Sequence, residues 1–106
     1  MLFMVRFDIT QPESMSTDRL WEVWNDEAKA AIGAKEAGAV VDLWKVAGER
    51  VVFALCDFPD GDALDRALAS LPIVNALGAG AKTTSLQVYP YEQFAAFLSE
   101  TVEGGG

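Results

Sequence analysis

Carboxylates are the main resource for chemistry in this 106-residue chain, because it contains no histidine. Without imidazole there is no Ser-His-Asp or Cys-His nucleophile system and no His-ligated metal or haem. Proton transfer falls to Asp, Glu, Lys, Tyr or the single cysteine. One carboxylate stands out. On a helical projection of residues 18–38, at ~100° per position, Leu20, Val23, Trp24, Ala28, Ala31 and Ala34 share a broad apolar stripe. Glu27 falls near its centre, whereas the neighbouring Asp26 falls on the polar side. A carboxylate on a buried face is costly unless paired or protonated, and burial raises its pKa towards the range a general base needs. The small alanines around it leave volume for a ligand or an opposing sheet. Two readings stand side by side: a pocket carboxylate, or a Glu paired with Arg6 or Lys35 or snorkelling to water.

The other candidates carry less. Arg6 lies on the mixed face of a strand, where an interface or ion-pair role competes with ligand binding. Lys35 sits within the apolar stripe a turn or two beyond Glu27. Trp24 and Trp44 read first as core or interface aromatics and second as pocket walls. Cys56 lies in the apolar run 51–56 and reads as a small buried hydrophobe; alone, it permits no intrachain disulfide. Asp8 and Asp42 lack metal-ligand spacing, and Gly78-Ala79-Gly80 lacks the context of a phosphate cradle. No metal site, nucleotide motif or cofactor is expected.

The elements that must position these groups follow from periodicity. Residues 2–9 alternate, with Phe3, Val5, Phe7 and Ile9 on one face and Leu2, Met4, Arg6 and Asp8 on the other. Ser16 or Thr17 offers a cap for a long helix to about Ala37, with Gly38 as its natural stop. Strands at about 40–47 and 50–58, joined at Gly48-Glu49, form a hairpin. Pro59-Asp60-Gly61-Asp62 combines a turn with an N-cap, and a helix over about 62–71 follows, closed by Pro72. Residues 74–82 read as a loop, 83–89 as a strand, and 91–101 as a last helix with Phe94, Phe97 and Leu98 at helical spacing.

The order β-α-β-β-α-β plus a C-terminal helix predicts an α+β, ferredoxin-like subunit with a four-stranded antiparallel sheet. Its two helices cover one sheet face. The other face needs a cover, and a second subunit's sheet is the simplest, so a homo-oligomer is expected. One domain over 1–103 and a flexible tail over 104–106 are expected. Sixteen acidic against eight basic residues, net −8, argue against nucleic acid or an anionic membrane surface as partner. The N-terminus has no basic segment followed by an apolar stretch, and no apolar run approaches the ~20 residues that span a bilayer. A cytoplasmic setting is expected.

Several segments resemble the muconolactone isomerases. The opening Met1–Asp8 looks like that family's start. Leu43-Trp44-Lys45-Val46-Ala47-Gly48-Glu49 is similar to its LW-[RK]-V-x-G-E hairpin, and Ala69-Ser70-Leu71-Pro72-Ile73 to its S-L-P-L/F helix end. Glu27 falls at the family's long-helix glutamate with no gap to Leu43-Trp44. The resemblance implies a subunit that associates through its sheet. It also implies a metal- and cofactor-free isomerase that moves a double bond in an unsaturated lactone, with Glu27 as proton carrier. Beyond what the resemblance implies, the chemistry of the shift suggests that Arg6 or Lys35 would stabilise the dienolate or hold a substrate carboxylate, with Met4, Trp24 and Trp44 alongside. The chain departs from the family where histidine is common at position 4 and before Leu-Trp, and where basic residues occur near 26 and 39. Here stand Met4, Asp42, Asp26 and Ala39. A diverged member acting on a less anionic substrate is therefore expected. The competing expectations are a secondary-metabolite cyclase, dehydratase or decarboxylase on the same scaffold, and a non-catalytic oligomeric accessory protein.

Overall fold

A computed structural model describes residues 1–104; the last two positions of the expected tail, 105–106, lie outside the described residues. Four strands, β1 (Leu2–Ile9), β2 (Val40–Lys45), β3 (Val51–Asp57) and β4 (Ala81–Val88), form one sheet in the order β2-β3-β1-β4. Every neighbouring pair is antiparallel. With helices α1 (Thr17–Glu36), α2 (Gly61–Ala69), α3 (Pro72–Leu77) and α4 (Tyr91–Val102), this is the expected ferredoxin-like α+β architecture.

The alternation of β1 sets the core. Phe3, Val5, Phe7 and Ile9 are buried, whereas Leu2, Met4, Arg6 and Asp8 point to the opposite face. Leu20 and Val23 of α1, Ala54 and Cys56 of β3, Leu64 of α2 and Ile73 of α3 close on them. The caps are those the sequence offers. Ser16 caps α1, its Oγ accepting from Arg19 N–H at 3.1 Å, and Asp60 caps α2, its Oδ1 accepting from Ala63 N–H at 2.8 Å. Gly38, at φ 91°, ends α1 in the left-handed region, and Ala39 N–H reaches back to Ala34 O at 3.1 Å.

The stretch expected as a loop is mostly helical. Pro72 opens α3 rather than closing the preceding helix, which ends at Ala69. The reason is local: the ring fixes φ for a first helical position, and Leu71 before it takes the extended ψ of 136°. Ile73 and Leu77, one turn apart, are the residues α3 buries. A 3-10 turn at Gly78–Gly80 leads directly into β4, which therefore starts at Ala81. Gly80 has no room for a side chain, since a Cβ there would lie 2.5 Å from Thr10 O.

The second departure is in β2. Val40 lies opposite Cys56, but Asp42 lies opposite Leu55, so Val41 is an extra residue in the ladder. The bulge shifts the alternation by one and turns Leu43 towards the helix-covered face, opposite Ala54. Two apolar surfaces stay uncovered. The outer sheet face carries Leu86, 66% exposed, and α4 buries none of its residues although it carries Tyr91, Phe94, Phe97 and Leu98.

Candidate active site

Between α1, α2, the start of α3 and the strands β2 and β3 lies a cavity of about 380 Å³. This is within the usual size of small-molecule sites. Its walls are apolar: Phe7, Trp24, Leu43, Val52, Leu68 and Ile73 are among them. Ala28, Ala31 and Ala34 of α1 also line it. Those alanines explain the space, because a methyl group leaves room between helix and sheet where a larger side chain would fill it.

Glu27 is the only acid among the lining residues. It is half-buried, and its Oε2 accepts a hydrogen bond from the backbone N–H of Ile73 at 3.3 Å. Desolvation by burial raises its carboxyl above the ordinary glutamate value, and the Ile73 bond offsets part of that rise. Pro72 supplies this donor indirectly. The first N–H groups of a helix have no intrahelical acceptor, and Ile73 sits in that first turn.

Among the described residues no Lys or Arg is paired with Glu27. Arg6 lies on the outer sheet face and grips Asp8 through two bonds, Nε to Oδ2 at 2.9 Å and Nη2 to Oδ1 at 3.0 Å. Lys35 reaches the sheet edge, where its Nζ bonds Asp42 Oδ1 at 3.1 Å. The two ion pairs expected as alternatives for Glu27, to Arg6 and to Lys35, are thus replaced by contacts with other partners. Met4 shares the outer face with Arg6 and is not a wall of the cavity in this chain. Trp24 and Trp44 do line it. Trp44 does so from the edge: its register position opposite Phe53 belongs to the outer face, and it is 47% exposed. Of the six candidates, then, one chain brings Glu27, Trp24 and Trp44 together and leaves Met4, Arg6 and Lys35 elsewhere.

Residues that the sequence did not mark as site residues complete the lining. Leu43 enters because of the bulge at Val41, and Ile73 because position 72 starts a helix. Cys56 also lines the cavity, buried as expected, and burial pushes its thiol pKa up. Lys45 is the only cationic residue among the lining, but its Nζ bonds Val46 O at 2.8 Å and also Glu49 O, both in the hairpin turn. Among the described residues no cluster of three His, Cys, Asp or Glu could hold a metal ion. Among them, no helix is long and apolar enough to cross a membrane.

A helix-covered four-stranded antiparallel sheet with a lone carboxylate in an apolar cavity defines a ferredoxin-like α+β protein with a candidate site between helices and sheet. The chain belongs to the muconolactone delta-isomerase family, whose sequence profile matches residues 1–92. A crystal structure of muconolactone isomerase superposes with a TM-score of 0.71 at 24% identity, covering 85% of this chain and 90% of that one. A crystal structure of an antibiotic biosynthesis monooxygenase superposes with a TM-score of 0.52 at 17% identity, covering 85% of this chain and all (100%) of that one. At these identities both likenesses speak for the fold. No curated protein sequence matches the chain.

Proposed function

We propose that this protein is a cofactor-independent isomerase that moves a carbon–carbon double bond by a 1,3-proton shift in an unsaturated lactone or related enolisable carbonyl compound. The observation that carries the reading is Glu27, the one acid in the lining of an apolar cavity, held on one oxygen by Ile73 N–H and paired with no cation among the described residues. Membership of the muconolactone delta-isomerase family supports it.

The catalytic residue is Glu27. Its raised pKa makes it a stronger base than an exposed glutamate once ionised. It takes a proton from the carbon next to the carbonyl and returns it to the far end of the conjugated system on the same face. As the proton moves, the negative charge passes from the carboxylate to the dienolate, so the cavity's net charge is constant throughout. This suits apolar walls, which would penalise any step that created new charge. The neutral Glu27 then donates a hydrogen bond to the species it has just formed. Trp24 and Trp44 serve as walls for the ring. The test is Glu27→Gln: retained circular dichroism with turnover lowered by about 10²–10⁴-fold supports the assignment, and unchanged turnover overturns it.

A homo-oligomer belongs to the same proposal, since the outer sheet face and α4 carry large exposed apolar side chains, among them Leu86 and Phe97. Cytoplasmic residence fits the lone unpaired Cys56. The second reading is a cyclase, dehydratase or decarboxylase of secondary metabolism, favoured by the uniformly apolar walls. A non-catalytic accessory role is disfavoured because Glu27 faces a cavity rather than an ion-pair partner.

A further inference from the structure

We infer that the Glu27 cavity takes a neutral, carboxylate-free ring carbonyl compound and excludes the corresponding acids. This inference rests on the proposal that the cavity is the reaction site, and it adds what that site selects.

The argument comes from where this chain places its cations. A substrate carboxylate brought into an apolar cavity needs a cationic or multiply hydrogen-bonding partner, or it stays in water. Beside Glu27 it would also meet a like charge. The chain has eight Lys and Arg in all. Arg6, Arg19, Lys35 and Arg66 are paired with Asp8, Glu22, Asp42 and Asp62 respectively. Arg50 lies over the Trp21 ring, with its guanidinium carbon 5.8 Å from the centroid. None of these five, nor Lys29 or Lys82, lines the cavity.

Lys45 is the remaining one, and its ammonium is turned into the hairpin turn, against Val46 O and Glu49 O. Those two carbonyls use two of its three hydrogens. The lining thus offers an apolar surface with one carboxyl group, Glu27, and no ready counter-charge for a second acid. Its polar demand on a ligand is satisfied by one carbonyl and one enolisable C–H. The volume of about 380 Å³ is at the lower end of the range for small-molecule pockets, and the Trp24 and Phe7 rings suit a flat compound.

The decisive measurement compares two shape-matched probes, 2-acetylnaphthalene and 2-naphthoate, by titration calorimetry on the full-length protein at pH 8. Both carry the same fused ring; one ends in a neutral methyl ketone and the other in a carboxylate. The ketone is expected to bind at least tenfold more tightly. Glu27→Gln is expected to narrow that gap by improving naphthoate binding, because the like charge is removed. Naphthoate binding as tightly as the ketone overturns the inference, and its loss in Lys45→Met would show that Lys45 swings in to hold it. Failure of both probes to bind at millimolar concentration overturns it as well. Neither probe needs to be turned over, so a failed isomerase assay leaves this comparison readable. A preference for naphthoate would leave Glu27 chemistry standing, with an acid as its substrate.

Discussion

The backbone N–H of Ile73 donates to Glu27 Oε2 at 3.3 Å, joining the first turn of α3 to the middle of α1 across 46 positions of sequence. The bond favours the carboxylate, but burial disfavours it more, and the net effect is a raised pKa. Because the folded-state value exceeds the unfolded one, the group's contribution to stability is complete below the unfolded carboxylate range. It is lost as the pH rises through the raised folded value. Glu27→Gln removes that loss while its amide oxygen still accepts from Ile73. The variant is expected to melt above the wild type at pH 8, with the difference shrinking towards pH 4, as read by scanning calorimetry. A wild type more stable than the variant at pH 8 would contradict the burial argument.

The same shift governs activity. The base form of Glu27 is required, so turnover is expected to rise with pH along a limb whose midpoint lies above the ordinary glutamate value. Glu27→Asp shortens the reach by one methylene. It is expected to cost about tenfold or more in kcat through misplacement alone, with a smaller effect on KM. A pH–rate profile flat through the carboxylate range and just above it would assign the proton transfer to another group.

Ile73 carries a structural load besides its N–H. It is 2% exposed, among the most buried side chains of the protein. Ile73→Ala is expected to destabilise by about 2–5 kcal/mol, measured by urea unfolding. Ile32→Ala, at a cavity-lining position that is 55% exposed, is expected to stay within about 0.5 kcal/mol of the wild type. Equal losses at the two positions would mean that α3 does not anchor the core as its burial indicates.

This pair also shows what the sequence could disclose. Glu27 was legible because a helical projection exposes a charge on an apolar stripe. That its partner is an amide was not, since every backbone N–H looks alike in a sequence. Ser16, Gly38 and Asp60 were legible as caps because their side chains, or the lack of one, act within a few residues. The helix at 72–77 was hidden because Pro72 has two meanings, stop and start, and only the burial of Ile73 and Leu77 decides between them. The bulge at Val41 was hidden because it adds one residue to a ladder without changing composition, yet it is what brings Leu43 to the cavity. Arg6 and Asp8 share one strand face, as the period-two alternation of β1 requires. Their mutual grip removes Arg6 from substrate binding within the chain, and it depends on rotamers that spacing alone does not set.

Cys56 lines the cavity with its thiol pKa raised by burial. The thiolate is the reactive form, so alkylation by iodoacetamide at pH 7.5 is expected to be at least about tenfold slower than for free glutathione. Occupancy of the cavity by 2-acetylnaphthalene should slow it further. Mass spectrometry of the intact protein follows both effects. Rapid modification that is indifferent to the ligand would place the thiol outside the cavity.

The proposed homo-oligomer can be tested on the outer sheet face. Met4 and Leu86 are direct neighbours across the β1–β4 ladder, and Leu86 is 66% exposed. Trp44 and Phe53 are paired across β2–β3 on the same face. Such exposed apolar side chains, with Arg6 and Asp8 between them already paired to each other, suit a second copy of the sheet better than water. Placing lysines at both Met4 and Leu86 puts like charges opposite each other on the face without touching the core residues of β1. The double variant Met4→Lys/Leu86→Lys is expected to sediment as a monomer at micromolar concentration and to keep its circular dichroism, whereas the wild type sediments as a dimer or larger. A monomeric wild type would remove the sheet-to-sheet association. An oligomeric double variant would move the contact to the apolar stripe of α4, where Phe94 and Phe97 are the exposed aromatics to substitute next.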